Sequence, residues 1–112
     1  MSQISFEDFL RLEIRVGRIV RAEPSHRAQK PAHKLWIDFG DLGLKQSSAQ
    51  LTVSYPAESL VGRLVLAVVN FPPKQVADVL SEVLVLGVPV NDGADIVLVA
   101  PDRDVPLGSR VL

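Results

Sequence analysis

The stretch Leu12-Glu13-Ile14-Arg15-Val16-Gly17-Arg18-Ile19-Val20 decides the reading of this chain. Leu12, Ile14 and Val16 alternate with Arg11, Glu13 and Arg15, the period of two that gives a strand one apolar and one wet face. The alternation slips at Gly17-Arg18, and the apolar pair Ile19-Val20 follows. A glycine at a slip of phase signals a bulge or bend, the device that lets a strand coil around a barrel.

Downstream, the stretch from Glu23 to His33 holds two prolines and much charge and reads as a loop. Leu35, Ile37 and Phe39 then alternate with Lys34, Trp36 and Asp38, a second strand that leaves Trp36 facing away from the apolar side. After a turn at Gly40–Gly43, Leu44 to Leu51 gives a third strand of unusual polarity. Pro56 to Leu60 suits a short helix. Leu64–Val69 and Val83–Val88 are continuously apolar, as expected of strands buried on both faces. Asn91-Asp92-Gly93 is a turn, and Ile96–Val99 a last strand stopped by Pro101. Upstream, Ser5 caps a single helical turn from Phe6 to Leu10, with Glu7 and Asp8 well placed in it. Its Phe6-Phe9-Leu10 stripe must dock on something, because one turn is not stable alone. Many short strands and little helix indicate an all-β barrel or sandwich. Helical packing of Val76 to Leu86 stays open, since short apolar runs are ambiguous.

At 112 residues the chain is expected to be one domain, 1–112. Burial of roughly 65% of its unfolded surface supports one core. It has no cysteine, which excludes a disulfide framework, thiolate chemistry and cysteine metal sites. The first eight residues carry acids and no apolar run, unlike a secretory signal. No stretch approaches the ~20 apolar residues of a membrane span. A cytoplasmic protein without membrane insertion is the expectation. The net charge is −1, but Arg11 to Lys45 carries a balance of +4 and the residues after it −3. Such asymmetry makes either a basic face or an ordinary scattered surface.

Candidates for catalysis are few. His26 and His33 flank the loop without an acid cluster beside them, a poor metal pair better read as solvated. The serines of Gln46-Ser47-Ser48-Ala49-Gln50 sit on no nucleophile elbow, and no glycine-rich phosphate loop is present. The expectation is a non-enzymatic protein without metal or cofactor. Binding candidates are better. A polar strand with Lys45 and Ser47 on one face is costly inside a barrel unless that face meets water or a ligand. Its hydroxyls, amides and ammonium are donors that phosphate and ribose accept. Asn70 ends an apolar strand and opens Phe71-Pro72-Pro73-Lys74, a stiff apolar loop beside a cation. With Trp36, this loop is a candidate surface for a base or a hydrophobic peptide.

Four stretches in order carry a resemblance: Leu12–Ile19, Lys45-Gln46-Ser47-Ser48-Ala49-Gln50, Ala67–Lys74 and Ser81-Glu82-Val83-Leu84-Val85-Leu86-Gly87. Together they resemble the tRNA-binding domain of free-standing dimeric tRNA-binding proteins and of synthetase appendages. The second and fourth resemble the CsaA-type secretion chaperones of that family. The resemblance implies an OB-fold five-stranded barrel with short added helices and terminal dimerisation segments. It implies that Lys45, Gln46, Ser47, Asn70, Lys74, Ser81 and Glu82 surround an RNA-binding face. For partners it implies a homodimer, tRNA, unfolded preproteins and the export motor ATPase. Peptide contact through Trp36, Phe71, Pro72 and Pro73 is compatible with this. Phe6, Phe9, Leu10, Val111 and Leu112 are the expected dimer edges. A dimerisation or scaffold module with no chaperone role is the alternative. One position departs from the family: Asp78 stands where a glycine is usual. It adds an acid near the expected RNA face and removes a permissive backbone position.

Overall fold

The computed structural model describes residues 1–25, 32–51 and 54–112. Helix α1 (Phe6–Leu10) leads into β1 (Ile14–Ser25), followed by β2 (Ala32–Asp38), a single 3-10 turn, and β3 (Leu44–Ala49). Helix α2 (Ala57–Leu60) precedes β4 (Leu64–Val68). Next come β5 (Lys74–Val76), β6 (Val79–Ser81), β7 (Leu84–Val85), β8 (Gly87–Val90) and β9 (Asp95–Leu98). Among the described residues, no helix is long and apolar enough to cross a membrane.

A curled five-stranded antiparallel sheet, in the order β3-β2-β1-β4-β7, makes the body of an OB-type all-β fold. Strand β1 reaches two partners. Ile14–Arg18 pair with β4, and Arg18–Ser25 pair with β2. Where β2 ends, the C-terminal segment takes over the edge of β1: Val16 N donates to Ser109 O at 2.9 Å, and Val111 N to Ile14 O at 2.9 Å. Arg110 then reaches Leu10 O at 2.6 Å, tying this segment to the end of α1.

The alternation read in β1 and β2 holds. Val16, Ile19, Leu35, Ile37 and Phe39 are buried, and with Leu51, Leu60, Val65 and Val83 they fill the interior. The bend, however, is not made by Gly17. The register slips at Val20, between the pairs Ile19–Ile37 and Arg21–Trp36, and the extra residue is turned out to solvent. Gly17 instead makes room for the core: a β-carbon there would lie 2.5 Å from Ile37 Cγ2 and 2.7 Å from the Phe39 ring.

Other expectations give way to long-range pairing. The stretch Glu23–His33 is not all loop, because Glu23, Pro24 and Ser25 pair with Lys34, His33 and Ala32. Residues 26–31, His26 among them, lie outside the described residues. Helical packing of 76–86 does not occur, since Lys74–Val76 and Val79–Ser81 form a hairpin. The third strand stops at Ala49 rather than Leu51. The run Val83–Val88 is not one buried strand. It divides at Leu86, so that β7 stays on β4 while β8 pairs with β9, and Leu84 and Val88 are exposed.

The close approach at Gly17 makes a direct prediction. Gly17→Ala should destabilise the protein by about 1–3 kcal/mol through overpacking against Ile37 and Phe39, as measured by denaturant unfolding. A change below roughly 0.5 kcal/mol, the range of an ordinary surface substitution, would contradict the packing described.

Candidate ligand-binding face

Because β2 buries Leu35, Ile37 and Phe39, its intervening residues Lys34, Trp36 and Asp38 point outward. Trp36 lies between Arg21 of β1 and Gln46 of β3. The Arg21 guanidinium sits over the ring of the half-buried Trp36, 4.6 Å from the centroid. Arg21 Nε also donates to Glu23 at 2.9 Å. Lys34 lies opposite Ser48 of β3 and forms an ion pair with Asp78, at the turn of the β5–β6 hairpin. Ser25 Oγ donates to the same carboxylate at 3.2 Å. The Lys34 hydrogen bond holds the Asp78 carboxyl below its ordinary value against the opposing effect of burial. On the neighbouring strand, Arg15 does the same for Glu13 through a hydrogen bond of 2.7 Å.

Beside this face runs a groove of about 340 Å³. It is lined by the apolar residues Phe71, Pro72, Val76, Val83 and Leu84 and by the polar residues Lys74, Ser81 and Glu82. Ser48 lines the groove as well, joining it to the β2–β3 face. Phe71, Pro72, Lys74, Ser81 and Glu82 are therefore brought together. Pro73 is exposed but does not line the groove, and Trp36 belongs to the sheet face next to it.

The polar segment of β3 divides by face. Lys45 and Ser47 stand opposite Ile37 and Leu35, on the inner side. Ser47 is fully buried, and its hydroxyl lies 3.2 Å from Val83 O and 3.5 Å from Ser81 Oγ. Ser81 Oγ accepts from Ser48 N at 3.2 Å. Glu82 N donates to Gln46 O at 2.9 Å, and the Glu82 carboxylate accepts from Gln46 N at 3.1 Å. Lys45 Nζ stands 4.0 Å from the same carboxylate. Ser47 is thus corrected from ligand donor to structural residue: a buried hydroxyl needs a partner, and it finds one inside the sheet. Ser81 and Glu82 hold the free edge of β3 and present only their outer sides to the groove.

Asn70 has a similar employment. Its side chain accepts from Glu13 N at 3.0 Å and donates to Arg11 O at 2.8 Å, fastening the end of β4 to the turn after α1. His33 is not solvated. It is buried on β2, with Nε2 at 2.8 Å from Tyr55 O. Among the described residues, no group of three or more His, Cys, Asp or Glu side chains could hold a metal. At the other end of the molecule, Phe6, Leu10 and Leu112 are exposed while Phe9 and Val111 are half-buried, so the α1 stripe stays largely uncovered.

Sequence reasoning did not single out Lys34, Arg21 and Ser48 as site residues. The signal was available for Lys34, which shares the outward phase of Trp36 on one strand. Arg21 and Ser48 join the face only through cross-strand register.

An OB-type sheet with loops framing the outer side of its second and third strands is a binding module, the arrangement by which such folds take extended polymers. The family comparison agrees. A model described as "Putative tRNA binding domain" matches residues 14–110, and the chain belongs to that family. Among solved structures it is similar to the chaperone CsaA of Bacillus anthracis, with 50% identity and a TM-score of 0.93 over 99% of this chain and 100% of that one. It is also similar to the CsaA chaperone protein of Picrophilus torridus, at 44% identity and a TM-score of 0.88 over 98% and 100% of the two chains. A methionine–tRNA ligase of Thermococcus onnurineus is 34% identical over 110 residues, 96% of this chain. The chain spans only 14% of that ligase's length.

Proposed function

We propose that this protein is a non-enzymatic, CsaA-like export chaperone, one OB-type domain over residues 1–112. It holds extended apolar segments of unfolded preproteins in the Phe71–Leu84 groove and offers the adjoining β2–β3 face to tRNA. The observation that carries the reading is the groove itself. An aromatic and a proline line it together with Val76, Val83 and Leu84, Lys74 and Glu82 add charged groups, and it has room for a few side chains. Apolar walls with a small number of polar groups are what binding sites generally use. Full-length similarity to two CsaA structures supports the chaperone assignment, and the family match supports tRNA as a ligand. Preprotein clients, delivery to the export motor ATPase and a cytoplasmic site of action follow from the same reading. A scaffold role alone would leave the groove without use.

The chaperone should suppress aggregation of a denatured client with little dependence on salt. Phe71→Ala should weaken binding of an apolar peptide by roughly tenfold or more, as loss of a buried aromatic anchor does. Unaltered aggregation curves at excess protein, or full activity in Phe71→Ala, would refute this reading.

The same proposal includes a homodimer through the uncovered stripe of α1 and the C-terminal Val111-Leu112. An apolar surface of this kind is normally covered by a partner, and Arg110 holds the two segments together on one side of the molecule. Light scattering should give twice the monomer mass at micromolar concentration. Phe6→Asp with Leu10→Asp should give a folded monomer. A monomeric parent protein would contradict the interface.

A further inference from the structure

Three cations on or beside the β2–β3 face each have an acid of their own: Arg21 with Glu23, Lys34 with Asp78, and Lys45 with Glu82. Among the described residues, these three cations are thus each paired with a carboxylate where a polyanion would have to lie. These pairs are not equivalent. Arg21 is 61% exposed and its acid neighbours it on the same strand, so phosphate could displace that acid at little cost. Lys45 and Glu82 are in loose contact, and Glu82 is already occupied with closing the sheet. The Lys34–Asp78 pair differs from both. Its side chains are only 24% and 22% exposed, and Asp78 comes from a separate element, the hairpin turn. Ser25 donates to the other carboxylate oxygen, a second tie between Asp78 and the sheet.

Lys34 also stands at the centre of the face. It shares the outward phase of Trp36 and lies across from Ser48, the residue common to the face and the groove. A phosphate approaching this face would meet the exposed Arg21 over Trp36 and, beside it, Lys34 with its charge already paired. An uncharged extended polypeptide would lose nothing by this.

We propose that Asp78 is the specificity-determining residue of this face: by holding Lys34 it withholds a central cation from phosphate and biases the face away from RNA and toward polypeptide. The inference rests on the reading that this face meets tRNA, and it is tested with tRNA as the probe. Ser25 bonds one carboxylate oxygen of Asp78 and Lys34 pairs with the other. Asp78→Asn keeps one oxygen for Ser25 but turns an amide toward Lys34, so the hairpin should stay in place while the lysine is released. Its affinity for tRNA at low salt should rise about fivefold, and the log–log salt slope should steepen by about 0.7–0.9, the value of one further phosphate contact. Lys34→Ala in the parent protein should change affinity by less than about twofold, since a paired lysine contributes little. In the double variant Asp78→Asn/Lys34→Ala, both the gain and the extra slope should disappear. Peptide binding should be unchanged in all three, which separates a change of specificity from a change of fold.

Parent-level affinity in Asp78→Asn, with the parent protein binding tRNA, would overturn the inference and leave the RNA reading intact. A gain that persists in the double variant would overturn it too, since repulsion by Asp78 would then suffice without Lys34. Failure of both parent and Asp78→Asn to bind tRNA at low salt would remove the RNA reading and this inference with it.

Discussion

The architecture depends on how the free edge of β3 is closed. A curled sheet of five strands leaves β3 facing the returning chain without a full ladder of backbone bonds. Closure is made instead by the backbone bond from Glu82 to Gln46 and by side chains, with Ser47 and Ser81 inside and the Glu82 carboxylate at the rim. Each of these groups would cost about 1–3 kcal/mol if buried unpaired, so they are stable only together. Their satisfaction fixes residues 81–84 against β3. The groove takes part of its lining from that segment, and the hairpin that carries Asp78 takes its position from it.

Seen this way, the polar third strand has two employments divided by the pleat. Its inward residues close the sheet, and its outward residues join Lys34, Trp36 and Arg21 on a face whose two described cations are each paired with an acid. The fold is that of a tRNA-binding domain, and the groove beside the face is lined largely by apolar residues.

Local pattern was a good guide where local physics decides. The alternation of Leu35, Ile37 and Phe39 placed Trp36 outward, and Ser5 caps α1 as its residue type suggests, with Asp8 completing a capping box. Pattern failed where a partner distant in the chain decides. Ser47 looked like part of a wetted wall because nothing nearby reveals that Ser81 and Val83 will supply its surroundings. Pro24 looked like loop, although its missing N–H is tolerated in a strand that pairs with His33. The apolar run after Glu82 read as one buried strand because composition cannot show the division at Leu86. Gly17 was rightly noticed as special, but for crowding by two core side chains and not for bending the chain.

Closure of β3 by residues 81–83 can be tested residue by residue with native-state hydrogen exchange. If the closure is as described, the amide of Glu82 opens only with the core and shares the protection of Ile37 in the sheet interior. If Glu82 exchanges like an exposed loop amide while Ile37 stays protected, the edge of β3 is open in solution and that part of the groove lining is not fixed.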